Sequence, residues 1–361
     1  MAEAPVAAHV AAPVGAPVAA PVGAPVAAPV GAPVAARATA RRQLCDCAQR
    51  GDVVQVQALL LSLAVLLPDS GIAIYCALKA AVRNDHVHVV AAMFAARGSD
   101  TWTTRFWQLF EVAACHSSLR VAAVLVAAKA SVGGVNCFAE TPLFTAAAKG
   151  HLSCVSLLLA AKACIHAALQ NISALHHAAQ CGHADVVECL VRAKADHRSD
   201  CHGQTPLYLA AIGAHEPVLR VLLGARADIN PPTPRRSPLI GAARHARLPS
   251  VVHLLLGARA DVNATLISGD TALFAAFGQE YPDAVVNLVL RAKADVNIAT
   301  AEGQTPLHLA ARDGRCSTAR RLVRAKADVR VATISGCTAA TLARENEHFE
   351  LAAYLEAIAG L

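Results

Sequence analysis

"QTPLHLAARDGRCSTARRLVRAKA", Gln304–Ala327, reads as one complete structural unit. Thr305 stands before Pro306 and an apolar run. A threonine hydroxyl at a helix N-cap accepts a bond from an orphan amide and contributes about 1 kcal/mol. Proline then fills the first helical position, where its missing donor does no harm. Leu307, Ala310 and Ala311 make one apolar face of little bulk, which lets a neighbouring helix approach closely. A second apolar helix follows and ends at Ala-Lys-Ala.

The same frame recurs along the chain. It begins at "ETPLFTAAAKGHLSCVSLLLAAKA" (Glu140–Ala163) and continues through "ISALHHAAQCGHADVVECLVRAKA", "QTPLYLAAIGAHEPVLRVLLGARA", "RSPLIGAARHARLPSVVHLLLGARA" and "DTALFAAFGQEYPDAVVNLVLRAKA". After the quoted unit it closes with "CTAATLARENEHFELAAYLEAIAG". The anchors Thr141, Ser173, Thr205, Ser237, Thr271, Thr305 and Thr338 are 32, 32, 32, 34, 34 and 33 residues apart. In the first two units Gly150 and Gly182 end the short helix.

A period near 33 with Thr-Pro-Leu-His-x-Ala resembles the ankyrin repeat, and residues 305–310 match that signature throughout. Three weaker units resemble it upstream, around "AQRGDVVQVQALL" (Ala48–Leu60), "AVRNDHVHVVAAMF" (Ala81–Phe94) and "AACHSSLRVAAVLV" (Ala113–Val126). Their implied anchors, Arg42, Cys76 and Phe106, lack Thr-Pro-Leu. The expected fold is therefore an all-α ankyrin-repeat solenoid of stacked helix–turn–helix units with short finger loops. Residues 1–40 read as a disordered Pro/Ala/Val-rich spacer, 41–132 as three divergent repeats, and 133–361 as seven repeats including a C-terminal cap. No unit buries its apolar face alone, so stability comes from nearest-neighbour stacking and the end unit needs a polar face. Glu345, Glu347, His348, Glu350 and Glu356 supply one.

Composition agrees with thin layers of small residues: 55% of the 361 residues are hydrophobic but only 4% aromatic. Charged residues make up 16%, which does not suit a wholly disordered chain. The net charge of +6 permits an acidic partner without demanding nucleic acid. The first 36 residues are apolar, but proline recurs every fourth residue from Pro13 to Pro33. Each would cost a helix about 3 kcal/mol, so this segment reads as a polyproline-like or disordered spacer. Acids are scarce there, as in a transit peptide, yet Ser is absent. The apolar run Ala58–Leu67 stops at Pro68, short of the roughly 20 residues that a span requires. Twelve scattered cysteines with no CxxC pair read as reduced thiols, in a cytoplasmic or nuclear setting.

Phosphate-loop, dinucleotide, zinc-protease and nucleophile-elbow motifs are all missing from the sequence. His86 and His88, the His176–His177 pair, and Cys45 with Cys47 lack the further ligands that a metal needs. His151, His183 and His215 each follow a first helix, a place where the resemblance implies a structural role. We expect no enzyme activity, no cofactor and no metal. Trp102, Phe106 and Phe110 share a helical face, either as packing between divergent units or as an interface anchor.

The phrase "VRAKADHRSD" (Val191–Asp200) recurs as "LGARADIN", "LGARADVN", "LRAKADVN" and "VRAKADVR". It sets Lys129, Lys162, Lys194, Arg226, Arg259, Lys293 and Lys326 where the resemblance implies a helix-ending glycine of positive φ. A side chain there costs about 1 kcal/mol. A cation at a helix C-terminus regains roughly 0.3–1 kcal/mol, so the two effects nearly cancel. The reading preferred here is architecture copied by duplication, with Asp196, Asp228, Asp261, Asp295 and Asp328 neutralising much of the charge. An acidic-ligand surface is the alternative.

By resemblance, binding residues lie on the fingers and at the ends of the first helices. They map to Phe138, Glu140, Lys149, Gln170, Ile172, Gln180, His202, Gln204 and Ile212. The row continues with Arg235, Arg236, Arg244, His245, Asp270, Glu302, Gln304, Arg312 and Asp313. The finger "NPPTPRRSPL" (Asn230–Leu239) holds three prolines ahead of its Ser237 anchor, Pro231, Pro232 and Pro234, and no glycine, so an ordinary hairpin is not expected. Its arginines beside Arg244 and Arg247 read either as a solvated loop or as a dock for an acidic segment. The expected function is a non-catalytic scaffold or adaptor that binds another protein as a monomer, with no nucleic acid and no membrane span. The alternative is a recognition or regulatory subunit of a larger enzyme complex such as a ubiquitin ligase.

Overall fold

The computed structural model describes residues 34–66, 71–96, 107–128, 132–135, 140–169, 172–198, 203–231, 236–245, 249–278 and 282–360. Among them twenty α-helices fall into ten antiparallel pairs. The first three pairs are α1 (Val34–Arg50) with α2 (Val53–Leu66), α3 (Gly71–Arg83) with α4 (Val87–Ala95), and α5 (Trp107–Cys115) with α6 (Leu119–Ala127). Then come α7 (Pro142–Ala148) with α8 (Leu152–Ala160), α9 (Ala174–Cys181) with α10 (Ala184–Arg192), and α11 (Pro206–Ile212) with α12 (Glu216–Gly224). Next are α13 (Pro238–His245) with α14 (Pro249–Gly257), and α15 (Ala272–Ala275) with α16 (Pro282–Arg291). The stack ends with α17 (Pro306–Arg312) paired to α18 (Cys316–Arg324) and α19 (Ala339–Glu345) paired to α20 (Phe349–Ala359). First helices pack on first helices along the whole stack, and second helices pack on second helices from α2 to α16.

The caps form as the sequence dictates. Thr141, Thr205, Thr271 and Thr338 accept the amides of Phe144, Tyr208, Phe274 and Thr341 at 3.2, 3.2, 3.1 and 3.3 Å. Ser173 and Thr305 form a capping box with a histidine: each hydroxyl accepts the amide three residues on, and Nδ1 of His176 and of His308 accepts the anchor's own amide at 3.2 and 3.1 Å. Behind each anchor Leu143, Leu175, Leu207, Leu239, Leu273 and Leu307 are buried. The paired alanines, such as Ala146–Ala147 and Ala210–Ala211, are inaccessible to solvent and keep the layers thin.

Units are joined by a ladder of histidines. Nε2 of His86, His151, His183, His215 and His348 donates to the carbonyl of Gln49, Cys115, Ala148, Gln180 and Arg312, one unit back, at 2.9–3.3 Å. The rings lie against the preceding unit's turn. A Cβ on Gly150 or Gly182 would stand 2.6 or 2.5 Å from Nδ1 of His183 or His215. Both glycines also have φ near +80° (76° and 82°), so their places exclude a side chain twice over.

The register of the basic phrase is upheld. Lys162, Lys194, Arg226, Arg259, Lys293 and Lys326 all hold φ between +61° and +68°; Lys129 lies outside the described residues. The partner aspartates behave differently from the expectation. Oδ1 of Asp196, Asp228, Asp261, Asp295 and Asp328 accepts the amide two residues on, at 2.9–3.0 Å, closing a turn. Among the described residues none of Arg226, Arg259, Lys293 and Lys326 forms an ion pair with them. Asn230, Asn263 and Asn297 then accept the amides of Asp261, Asp295 and Asp328 at 2.8 Å, stitching seam to seam.

Three expectations need correction. Helix α1 begins at Val34, inside the segment read as spacer, because prolines stop at Pro33 and alanine-rich sequence follows. Arg42 and Cys76 lie inside α1 and α3 rather than at helix starts. Without Thr-Pro to fix a start, these helices run on to 17 and 13 residues, against seven in α7. The end unit is not wholly polar: Glu345, Glu347 and Glu350 are exposed, but so are Phe349 and Ile358. Trp102 and Phe106 lie outside the described residues, while Phe110 is buried in α5.

Candidate functional site

The fingers connect each seam to the next anchor. Residues Ala168–Leu169 (β1) and Ile172–Ser173 (β2) pair as an antiparallel hairpin. The last three fingers close by Leu266 to Asp270, Thr300 to Gln304 and Thr333 to Cys337 backbone bonds of 2.9–3.0 Å. Gly269, Gly303 and Gly336 hold φ of 82°, 75° and 80° at their turns. Consecutive fingers are tied together: Ala301 N donates to Ser268 O at 2.9 Å and Ile334 N to Glu302 O at 3.1 Å. These last three fingers therefore form a continuous wall beside the ends of the first helices.

Two depressions lie between that wall and the helices. One, of about 310 Å³, is lined by Tyr208, Arg236, Ser237, Ile240, Gly241, Arg244, His245 and Leu266. The other, of about 460 Å³, is lined by Arg244, Ser268, Asp270, Phe274, Ala275, Phe277, Thr300, Ala301, Glu302, Gln304, Leu309 and Arg312. Arg244 borders both, so they form one groove over units α11 to α17. Arg244 makes an ion pair with Asp270, and the Arg236 guanidinium lies 5.5 Å above the Tyr208 ring. The basic cluster anticipated here is thus partly neutralised and partly stacked. Arg312 and Arg315 both pair with Asp313, at 3.1 and 3.5 Å.

Of the residues singled out by sequence, Arg236, Arg244, His245, Asp270, Glu302, Gln304 and Arg312 come together in this groove. Glu140, Lys149, Ile172, Gln180, Gln204 and Ile212 sit at matching places in earlier units. Phe138, Gln170, His202 and Arg235 lie outside the described residues, as does Arg247. Sequence reasoning missed Tyr208, Gly241, Phe274, Phe277 and Leu309. The available signal was Gly241, the lone glycine at a first-helix position that holds Thr145, His177, Leu209, Ala275 and Leu309 elsewhere. A Cβ on Gly241 would lie 2.8 Å from Tyr208 Cε2, so the missing side chain makes room for the ring.

The titrations are structural. Burial pushes the His308 pKa below its ordinary 6.5, although the Cys337 and Val331 carbonyls favour the charged ring. Its Nδ1 accepts the Thr305 amide, so the proton sits on Nε2, which is buried without a bonded partner. His177, whose ring lies 4.4 Å from Phe144, is likewise lowered by burial, with Glu140 opposing. Among the described residues no cluster of three or more His, Cys, Asp or Glu could hold a metal. No described helix is long and apolar enough to cross a membrane.

Comparison with known proteins agrees with this architecture. A family model described as ankyrin repeats (three copies) matches residues 110–191, 162–233, 239–333 and 275–357. The chain is similar to the solved human ASB11 ankyrin repeat domain, at 25% identity and a TM-score of 0.55, over 61% of this chain and 98% of that one. It is also similar to the ankyrin repeat domain of Bcl-3, described as a unique member of the IkappaB protein family. Here the identity is 27% and the TM-score 0.50, over 59% of this chain and 97% of that one. No curated protein matches.

Proposed function

The chain belongs to the ankyrin-repeat family, and on that footing we propose that it is a non-catalytic scaffold or adaptor whose groove of fingers and first-helix ends binds a partner protein. The family's general role is protein–protein interaction. The observation that carries the reading here is the groove over units α11 to α17, where seven side chains that the resemblance marks as binding positions line adjoining depressions. A stacked array presents such a surface already ordered, so binding need not fix it first.

The partner is read as contributing an acidic segment, because Arg236, Arg244 and His245 border one depression. The chain is read as acting in single copy in the cytoplasm or nucleus. Exposed glutamates on the end unit oppose end-to-end association, and no disulfide links any of the ten described cysteines.

Site-specific photo-cross-linking in cells tests this reading. A benzophenone side chain at Ser268, on the groove, should capture a defined protein. The same group at His253, exposed on α14 on the other side of the units, should not. Equal capture from both positions would refute the groove.

A further inference from the structure

We propose that the groove takes an extended segment of the partner with an acidic residue at position i and a bulky apolar residue at i+3. This deepens the recognition reading above and rests on it.

The two depressions differ in chemistry. In the first, Arg236 is stacked on Tyr208 at 5.5 Å and forms no ion pair among the described residues. Its guanidinium edge remains able to bond a carboxylate, and Arg244 and His245 stand in the same depression. The second has an apolar floor of Phe274, Phe277 and Leu309. Of the charged residues that border it, Arg244 is paired with Asp270 and Arg312 with Asp313, which leaves the Glu302 carboxylate to repel a second acid. The charge asymmetry therefore sets the direction of the bound chain, acid first and apolar residue after.

Spacing selects the conformation. The depressions belong to adjacent units, and packed helices lie about 8–10 Å apart. A polyproline-like chain advances about 3.1 Å per residue with three residues per turn, so i and i+3 share a face about 9 Å apart. Volumes of about 310 and 460 Å³ suit single side chains. A whole helix, about 10 Å across, does not enter either one. Gly241 seats the Tyr208 ring that lines the first depression, because a Cβ there would stand 2.8 Å from Tyr208 Cε2.

The test uses the full chain as bait for a phage-displayed library of random 12-residue peptides. Recovered sequences are synthesised with fluorescein and titrated by polarisation against the full chain and against Arg236→Ala and Ser268→Trp variants, each checked for native circular dichroism. The expected result is enrichment of Asp or Glu three residues before Leu, Ile, Phe or Met. Arg236→Ala, or Lys in place of the acid, should weaken binding about tenfold or more, as loss of a charge-assisted bond does. Ser268→Trp should block binding by covering the second depression. Peptides that Ser268→Trp blocks, but that show no acid preference and ignore Arg236→Ala, overturn the proposal and leave the groove standing. Peptides indifferent to both variants, or a library that returns no binder, overturn the proposal and count against the groove itself.

Discussion

Gly182→Ala is expected to destabilise the stack by about 2–3 kcal/mol, through two separable causes. The residue holds φ of 82°, and an alanine in that left-handed region costs about 1–2 kcal/mol. Its new Cβ would also stand 2.5 Å from Nδ1 of His215, the ring that ties this unit to the next. That ring cannot retreat while Nε2 holds the Gln180 carbonyl at 2.9 Å, so the bond is lost, at about 1 kcal/mol. A double-mutant cycle with His215→Ala separates the two. With the ring already gone, Gly182→Ala should cost only the backbone share, so a coupling of about 1 kcal/mol is expected. The reverse change at the equivalent place one unit on, Ala214→Gly with φ of 56°, should stabilise by about 1 kcal/mol. Urea unfolding followed at 222 nm reads the four variants against the unchanged chain. A Gly182→Ala cost below about 0.5 kcal/mol, or a coupling near zero, would refute the close-approach argument.

Acid should loosen the same array. Burial lowers the folded pKa of His308 and His177 below 6.5, so the unfolded chain takes up these protons first. Their contribution to stability is complete above about pH 6.5 and is lost as pH falls below it; a His308→Gln variant should show a smaller fall in urea midpoint between pH 7.5 and 5. Replacing Lys162, Lys194, Arg226, Arg259, Lys293 and Lys326 together by glycine removes about 1 kcal/mol of backbone strain at each and forfeits 0.3–1 kcal/mol of helix-dipole interaction. The urea midpoint should hold or rise, rise further in high salt as the dipole interaction is screened, and partner affinity should be nearly unchanged. A large loss of affinity would make the seam a binding surface.

What could be read from the sequence was what short-range physics decides. The cap at Thr305, the proline after it and the positive φ of Lys194 each depend on neighbours within about four residues, and all are in place. The first three units were harder for the same reason. Without Thr-Pro nothing local fixes a helix start, so the anchors guessed at Arg42 and Cys76 lie inside longer helices. The groove depends on contacts one unit away. Arg244 meets Asp270 from the next unit, and Tyr208 lies against Gly241. The family resemblance could name Arg244, Asp270 and Arg236 as residues of the groove, but not that two of them would neutralise each other and the third would stack.

The contrast between seam and groove bears on where function resides. At the seam, the groups that recur are consumed by the architecture: aspartates close turns, asparagines hold the next unit's amides, and histidines hold the last unit's carbonyls. The recurrent cations form no side-chain bond among the described residues, yet their places vary little, which is what copying of a tolerated residue produces. In the groove the opposite holds. Tyr208, Gly241 and Phe277 differ from their counterparts in other units, and all three line depressions that the stack does not need. A residue that departs from its own repeat and opens a cavity weakens local packing. Gly241 concentrates this argument. Alanine there would improve helix propensity by up to about 1 kcal/mol, but its Cβ would strike the Tyr208 ring that underlies Arg236.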